Sequence, residues 1–184
     1  MNNMIYPDYN TCLHLLIEEG VSEKVIKHVT AVHRFSTVIG QKFISTGYSV
    51  NMKLLEAGSL LHDIGRSRTH DISHAVEGCR IAERLNFPDD LTAIIRNHIG
   101  AGISRKEAIE KGLPAADYIP QSLEEKIVAA ADNLADGEKH QTITECANRM
   151  RSRGIFEASE RCLALHRELS EMCGINLDDL LTGA

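Results

Sequence analysis

Residues 60–66 read Leu60-Leu61-His62-Asp63-Ile64-Gly65-Arg66, an apolar run that ends in a histidine, an aspartate and a glycine. Upstream, Asn51 can cap a helix that carries Leu54, Leu55, Leu60 and Leu61 on an apolar face, and Gly65 is expected to stop it just past the His-Asp pair. Ionisable groups at the end of a run that belongs in a core are costly to bury unless coordinated or paired. A helix end also lets adjacent side chains converge that would diverge by ~100° on a regular helix. His62 and Asp63 are therefore candidate metal ligands. The chain supplies matching groups at separated positions: His28 upstream, then His74, His98 and Asp132 downstream. Together they form a six-residue ligand set for one or two divalent ions.

Outward from this stretch almost every segment repeats apolar residues at helical spacing, and no alternating run makes a convincing strand, so the fold class expected is all-α. Ser22 can cap a long helix through Val25, Val29, Val32, Phe35 and Ile39 that ends near Gly47. Asp71 is a plausible cap for a helix through Val76, Ile81 and Leu85. Pro88 opens another through Leu91, Ile94 and Ile95 that ends at His98-Ile99-Gly100. Residues 100–122, with Gly102, Gly112, Pro114 and Pro120, read as a looped excursion holding one short helix from Ser104 to Lys111. Such segments often cover sites. A helix from Leu123 carries Asp132, and two more are expected from about Glu138 and Ile155 to the end. One domain over 1–184 fits this length, with a core at about 22–137 and C-terminal helices over 138–184 packed on it.

The net charge of −6 argues against a cationic footprint for a nucleic-acid duplex. If the substrate is a phosphate ester, bound metal must supply the positive charge. Met1 to Asn10 lacks the basic start and apolar run of a signal peptide, and no stretch approaches a membrane span, so the expectation is a cytoplasmic protein without a membrane partner. Five cysteines, Cys12, Cys79, Cys146, Cys162 and Cys173, are odd in number and show no C-x-x-C spacing. Reduced, mostly buried thiols are expected.

Imidazole nitrogen with carboxylate oxygen suits Fe, Mn, Zn or Ni, and a carboxylate can bridge two ions where an imidazole cannot, which makes Asp63 the natural bridge. The order His, His-Asp, Asp resembles the HD superfamily of metal-dependent phosphohydrolases, and His62-Asp63-Ile64-Gly65 is similar to the signature of its HDIG branch. His28 with Val32 matches the family's H-x-x-x-V, and Ala131-Asp132 its closing A-D. His74 in His-Ala-Val-Glu-Gly and His98 in Arg-Asn-His look like the two further histidines that complete a dinuclear centre in some members. The same order, with Glu125-Lys126-Ile127 before Ala131-Asp132, resembles the bacterial HD enzymes that split diadenosine tetraphosphate symmetrically, although the insertion before His74 is shorter here. The strings from His98 through Gly112-Leu113-Pro114 to Asp132-Asn133-Leu134 also look like a smaller archaeal-type HDIG family. The resemblance covers roughly Ser22 to Gly137.

The resemblance implies hydrolysis of a phosphate ester or anhydride in a small-molecule substrate, a nucleotide by expectation, with one or two divalent ions (Fe, Mn, Co, Ni, Zn or Mg). Asp63 and Arg66 are the expected catalytic residues. Arg66, His70 and Asn133 are expected to contact substrate, with Arg68, Arg96, Arg105 and Lys106 as weaker candidates. His33 lies five residues, ~140° around a helix, from His28, so the two cannot share a face, and His33 reads as surface or supporting. His14, His140 and His166 carry no pattern and are expected to face solvent. An oxygenase using a di-iron centre and a nucleotide-binding regulator without turnover are the alternatives on the same ligands. Apolar residues of the last helix (Leu163, Leu165, Leu169, Met172, Ile175) could pack within the domain or across a homodimer.

Overall fold

The computed structural model describes residues 6–183. Its ten helices are α1 (Tyr9–Glu18), α2 (Glu23–Ser45), α3 (Met52–Leu61), α4 (His74–Arg84), α5 (Asp89–Asn97), α6 (Arg105–Glu110), α7 (Leu123–Asn133), α8 (Ile143–Ser152), α9 (Phe156–Cys173) and α10 (Leu177–Leu181). The all-α class holds, apart from one hairpin of two-residue strands, β1 (Ala135–Asp136) paired antiparallel with β2 (Lys139–His140). No helix among the described residues is long and apolar enough to cross a membrane.

Local chemistry sets most helix starts. Ser22 and Asn51 accept hydrogen bonds from Val25 N and Leu54 N, which satisfies amides that the first turn leaves without carbonyl partners. Ser104, Ser122 and Thr142 each form a reciprocal capping box with the glutamate three residues on. α2 is the central element: Val25, Val29, Val32, Phe35, Ile39 and Phe43 line one face and are all buried against α3 and α7. The same apolar core reaches Cys12 and Leu16 on α1 and Leu177 and Leu181 on α10. Leu165 and Leu169 of α9 are buried, and Leu163, Met172 and Ile175 pack against that core, so this face is used within the chain.

Four expectations need correction. Gly65 does not stop α3, which ends at Leu61; the glycine lies in a 3₁₀ turn, Ile64–Ser67. It is needed there because a Cβ would sit 1.9 Å from the His74 carbonyl oxygen, so α4 can approach only a bare backbone. Asp71 is not the cap of α4, which begins at His74 after Ser73; its carboxylate instead accepts the Ser73 amide. The helix expected from about Glu138 starts at Ile143, because Gly137 at φ +61° turns the β1–β2 hairpin first. Finally, His166 is buried and His140 half-buried rather than solvent-facing, with their Nε2 atoms 3.6 and 3.5 Å from the Asp178 carboxylate. His14 is exposed as expected.

The excursion at 100–122 carries a core of its own. Ile103, Ala108, Leu113 and Tyr118 are buried together, with Ile103 and Tyr118 exchanging backbone hydrogen bonds, and Ile72, Val76 and Ile99 pack against them. Those three residues flank His74 and His98. The excursion is thereby fastened to the chain segments that present two of the candidate ligands. All five cysteines are free and four are buried; burial raises the thiols of Cys12 and Cys162 to about 12, leaving them protonated and inert.

Candidate metal centre

Five of the six candidate ligands come from helix ends. His62 caps the C-terminus of α3 with Asp63 next to it, His74 opens α4, His98 caps α5, and Asp132 lies in the last turn of α7. His28 alone comes from within a helix, the second turn of α2. Their side chains meet in one place. His28 Nε2 is 2.9 Å from Asp132 Oδ1, and His62 Nε2 is 3.6 Å from the same oxygen. On the other side His74 Nε2 and His98 Nε2 stand 3.0 Å apart and lie 3.1 and 3.4 Å from Asp63 Oδ1. The second oxygen, Asp63 Oδ2, is 3.9 Å from both His28 Nε2 and His62 Nε2. The Asp63 carboxylate thus has one oxygen in each half of the cluster.

The protonation pattern favours cations. His62, His74 and His98 each place Nδ1 within 2.6–2.8 Å of the carbonyl three residues earlier, at Ser59, Asp71 and Ile95. His28 Nδ1 reaches the Gly137 carbonyl at 3.3 Å. A carbonyl only accepts, so each of these nitrogens carries a hydrogen, and the Nε2 atoms of His62, His74 and His98 are left to point at one another and at the Asp63 and Asp132 carboxylates. Two buried atoms, His62 Nε2 and Asp63 Oδ1, have no hydrogen-bond partner. Edges of 3.0–3.4 Å among His74, His98 and Asp63 are what donor atoms about 2.0–2.1 Å from a common cation leave between them. The donor atoms of His28, His62 and Asp132 lie within 4.8 Å of one another, as do those of His62, Asp63 and His98, so each trio could hold an ion.

Electrostatics agree. Burial alone would raise the Asp63 and Asp132 carboxyls, but the surrounding histidines hold both well below the usual carboxylate range, so both stay ionised. Burial pushes His98 down and keeps it neutral. At His28 burial acts in the same direction but is outweighed by Asp132, which raises the imidazole to about 9.

The remaining expected site residues sit at the margin. Arg66 donates from Nε to Asp63 Oδ2 at 2.7 Å and from Nη1 to the His70 carbonyl at 3.2 Å, and its side chain is about a third exposed. His70 joins this arrangement through its backbone, with its ring on an exposed residue. Asn133 is buried and donates to the Gly100 carbonyl at 2.9 Å, tying the excursion to α7 rather than reaching into the cluster. Arg68 is taken up by Glu19. His33 bonds Ser59 Oγ at 3.1 Å and stays outside the cluster. The link between buried Asn97 and Glu125, 2.7 Å long, is not foreseen in the sequence.

Comparison with known proteins gives this arrangement a family. Residues 25–137 match the family model described as HD domain. The chain belongs to the HD-domain family. An uncharacterised protein of Methanocaldococcus jannaschii is 47% identical over 138 residues, covering 75% of this HD-domain chain and 82% of the relative. Proteins of Thermoplasma volcanium and Picrophilus torridus, both named tRNA (cytidine(56)-2'-O)-methyltransferase, are 40% and 37% identical over 96% and 95% of this chain. The chain spans about half the length of these two relatives, 51% and 50%. Among solved structures, the HD domain of the Listeria monocytogenes phosphodiesterase PgpH superposes with a TM-score of 0.56 at 16% identity, covering 94% of this chain and 97% of that one. The same domain in complex with cyclic-di-AMP gives 0.55. At that identity the likeness is one of fold.

Proposed function

We propose that this HD domain is a metal-dependent phosphohydrolase acting on a phosphate ester or anhydride of a nucleotide, with a phosphodiester as the favoured substrate. The observation that carries the reading is the division of the cluster about Asp63, with Oδ1 facing His74 and His98 and Oδ2 facing His28 and His62. His28, His62, Asp63 and Asp132 would hold one divalent ion, and His74 and His98 with Asp63 would hold a second. Bound divalent ions supply positive charge for the phosphoryl oxygens and acidify water toward neutral pH. The Nδ1–carbonyl bonds orient the four imidazoles before any ion arrives. Arg66, about a third exposed beside Asp63, is the group to engage a non-bridging phosphoryl oxygen as its Asp63 contact loosens. His70 lines the same approach, and Asn133 acts by holding the loop over it. The preference for a diester is supported by two similar proteins: PgpH is a phosphodiesterase, and Ribonuclease Y of Finegoldia magna is 27% identical over 115 residues.

The test is metals per chain together with hydrolysis of bis(p-nitrophenyl) phosphate by protein purified without chelators and supplied with Mn, Co or Fe. About two ions per chain and activity abolished by Asp63→Ala are expected. Full activity in Asp63→Ala overturns the reading. Oxygen consumption by the iron form without phosphate release would point instead to oxygenase chemistry on the same ligands.

A further inference from the structure

A cavity of about 530 Å³ opens between the excursion and the turn joining α8 to α9. Ile72 and Ile99 form one side, two residues before His74 and one after His98, so this wall is continuous with the chain that presents two candidate ligands. Ile155 and Phe156 also line it and are 40% and 62% exposed, although such residues are normally withdrawn from water. Gly154, at φ +77°, makes the turn just before them and also lines the cavity.

The charges at this cavity exclude a second phosphate. Glu107, Glu110 and Glu157 outnumber Lys111 and Arg161, and Arg161 is already committed to Glu107 at 2.8 Å and to the Gly102 carbonyl at 3.1 Å. A phosphoryl group would meet a net negative lining whose one guanidinium is already paired with a carboxylate. What suits these walls is a flat, uncharged, polarisable group joined to a phosphate that lies by His98 and Arg66. The volume lies within the ~300–1,000 Å³ usual for small-molecule sites, and an exposed aromatic in a lining with branched aliphatics can serve as a stacking platform.

We infer that this cavity is the nucleobase pocket of the domain, with Phe156 stacking on the base and Ile72 and Ile99 closing its other face. The inference rests on the phosphohydrolase reading for the phosphate end of the ligand, yet the pocket can be tested without turnover. Titration of 2-aminopurine riboside, which carries a base and no phosphate, is expected to show quenched fluorescence in the full chain. Phe156→Ala is expected to weaken that binding about tenfold, the scale of losing one base–aromatic stack. Ile17→Ala, which removes an equally exposed side chain on α1, is expected to leave it intact. In turnover, the ratio of kcat/KM for the p-nitrophenyl ester of thymidine 5'-monophosphate to that for bis(p-nitrophenyl) phosphate is expected to fall about tenfold in Phe156→Ala. Absence of riboside binding in the unaltered protein, or equal binding by Phe156→Ala, overturns the pocket whatever the outcome of the hydrolysis assays. Failure of all hydrolysis with riboside binding intact overturns the phosphohydrolase reading and leaves the pocket standing.

Discussion

Asn97 donates its side-chain amide to Glu125 at 2.7 Å, and both residues are buried. The bond joins the end of α5, one residue before His98, to the start of α7, which carries Asp132 two turns further on. Glu125 also closes the capping box of α7 by accepting from Ser122 N. One carboxylate therefore starts one ligand-bearing helix and fixes the end of another. Glu125→Ala is expected to leave a buried amide without an acceptor and to remove a cap, costing about 1–3 kcal/mol. Thermal unfolding should show Tm lowered by several degrees, and metal titration should show weakened binding, while Glu124→Ala on the same turn should cost less.

Sharing of Asp63 between the two halves of the proposed metal centre predicts unequal losses. Asp63→Ala should bring metals per chain from about two to near zero, whereas His98→Ala should leave about one. Elemental analysis of the purified variants checks this, and equal losses in the two would contradict a bridging role.

Two glycines separate a hard contact from a soft one. A Cβ at Gly65 would meet backbone atoms, with the His74 oxygen at 1.9 Å, while a Cβ at Gly58 would meet the tip of Ile94 at 2.5 Å. Gly58→Ala should cost about 1–3 kcal/mol, since Ile94 can shift. Gly65→Ala must displace α4 and with it His74, so a loss beyond about 4 kcal/mol or failure to fold is expected. Denaturant unfolding followed by circular dichroism measures both.

Glu107 gives a pH signature. Burial by itself raises its carboxyl, but hydrogen bonds from Ser104 and the Arg161 guanidinium outweigh that and lower it to about 2. A carboxyl lowered on folding stabilises the protein above its unfolded value, near 4.5, and that contribution fades as pH falls toward 2. The excursion should therefore loosen in acid over this window. Tyr118 fluorescence as a function of pH checks it, and Glu107→Gln should be less stable at neutral pH with a flatter acid limb.

What the sequence revealed of this molecule follows the range of each interaction. The caps at Ser22 and Asn51 were readable because a cap and its amide are three residues apart. The six candidate ligands could be listed from side-chain chemistry together with the family resemblance, and the folded chain brings those six side chains together. Gly65 misled because the reason for it is the backbone of α4, a contact that no local pattern records. His166 and His140 read as surface residues because their partner, Asp178, stands on a five-residue helix near the end of the chain. The β1–β2 hairpin was hidden because two-residue strands show no alternation. α1 gave no clear stripe, since of its apolar residues only Cys12 and Leu16 are fully buried.

The Nε2 atoms that converge among His62, His74 and His98 also bear on how the chain reaches its native state. Elsewhere in the molecule caps, apolar faces and turns all favour the same structure, but at this point the native arrangement is locally frustrated, with like partial charges pressed together by the surrounding core. A chain refolding in chelator should complete its apolar core first and leave residues 62–74 and the end of α5 as the least protected region to amide exchange. Divalent cations would then act as the last folding partner, raising stability by mass action and quieting that one region selectively.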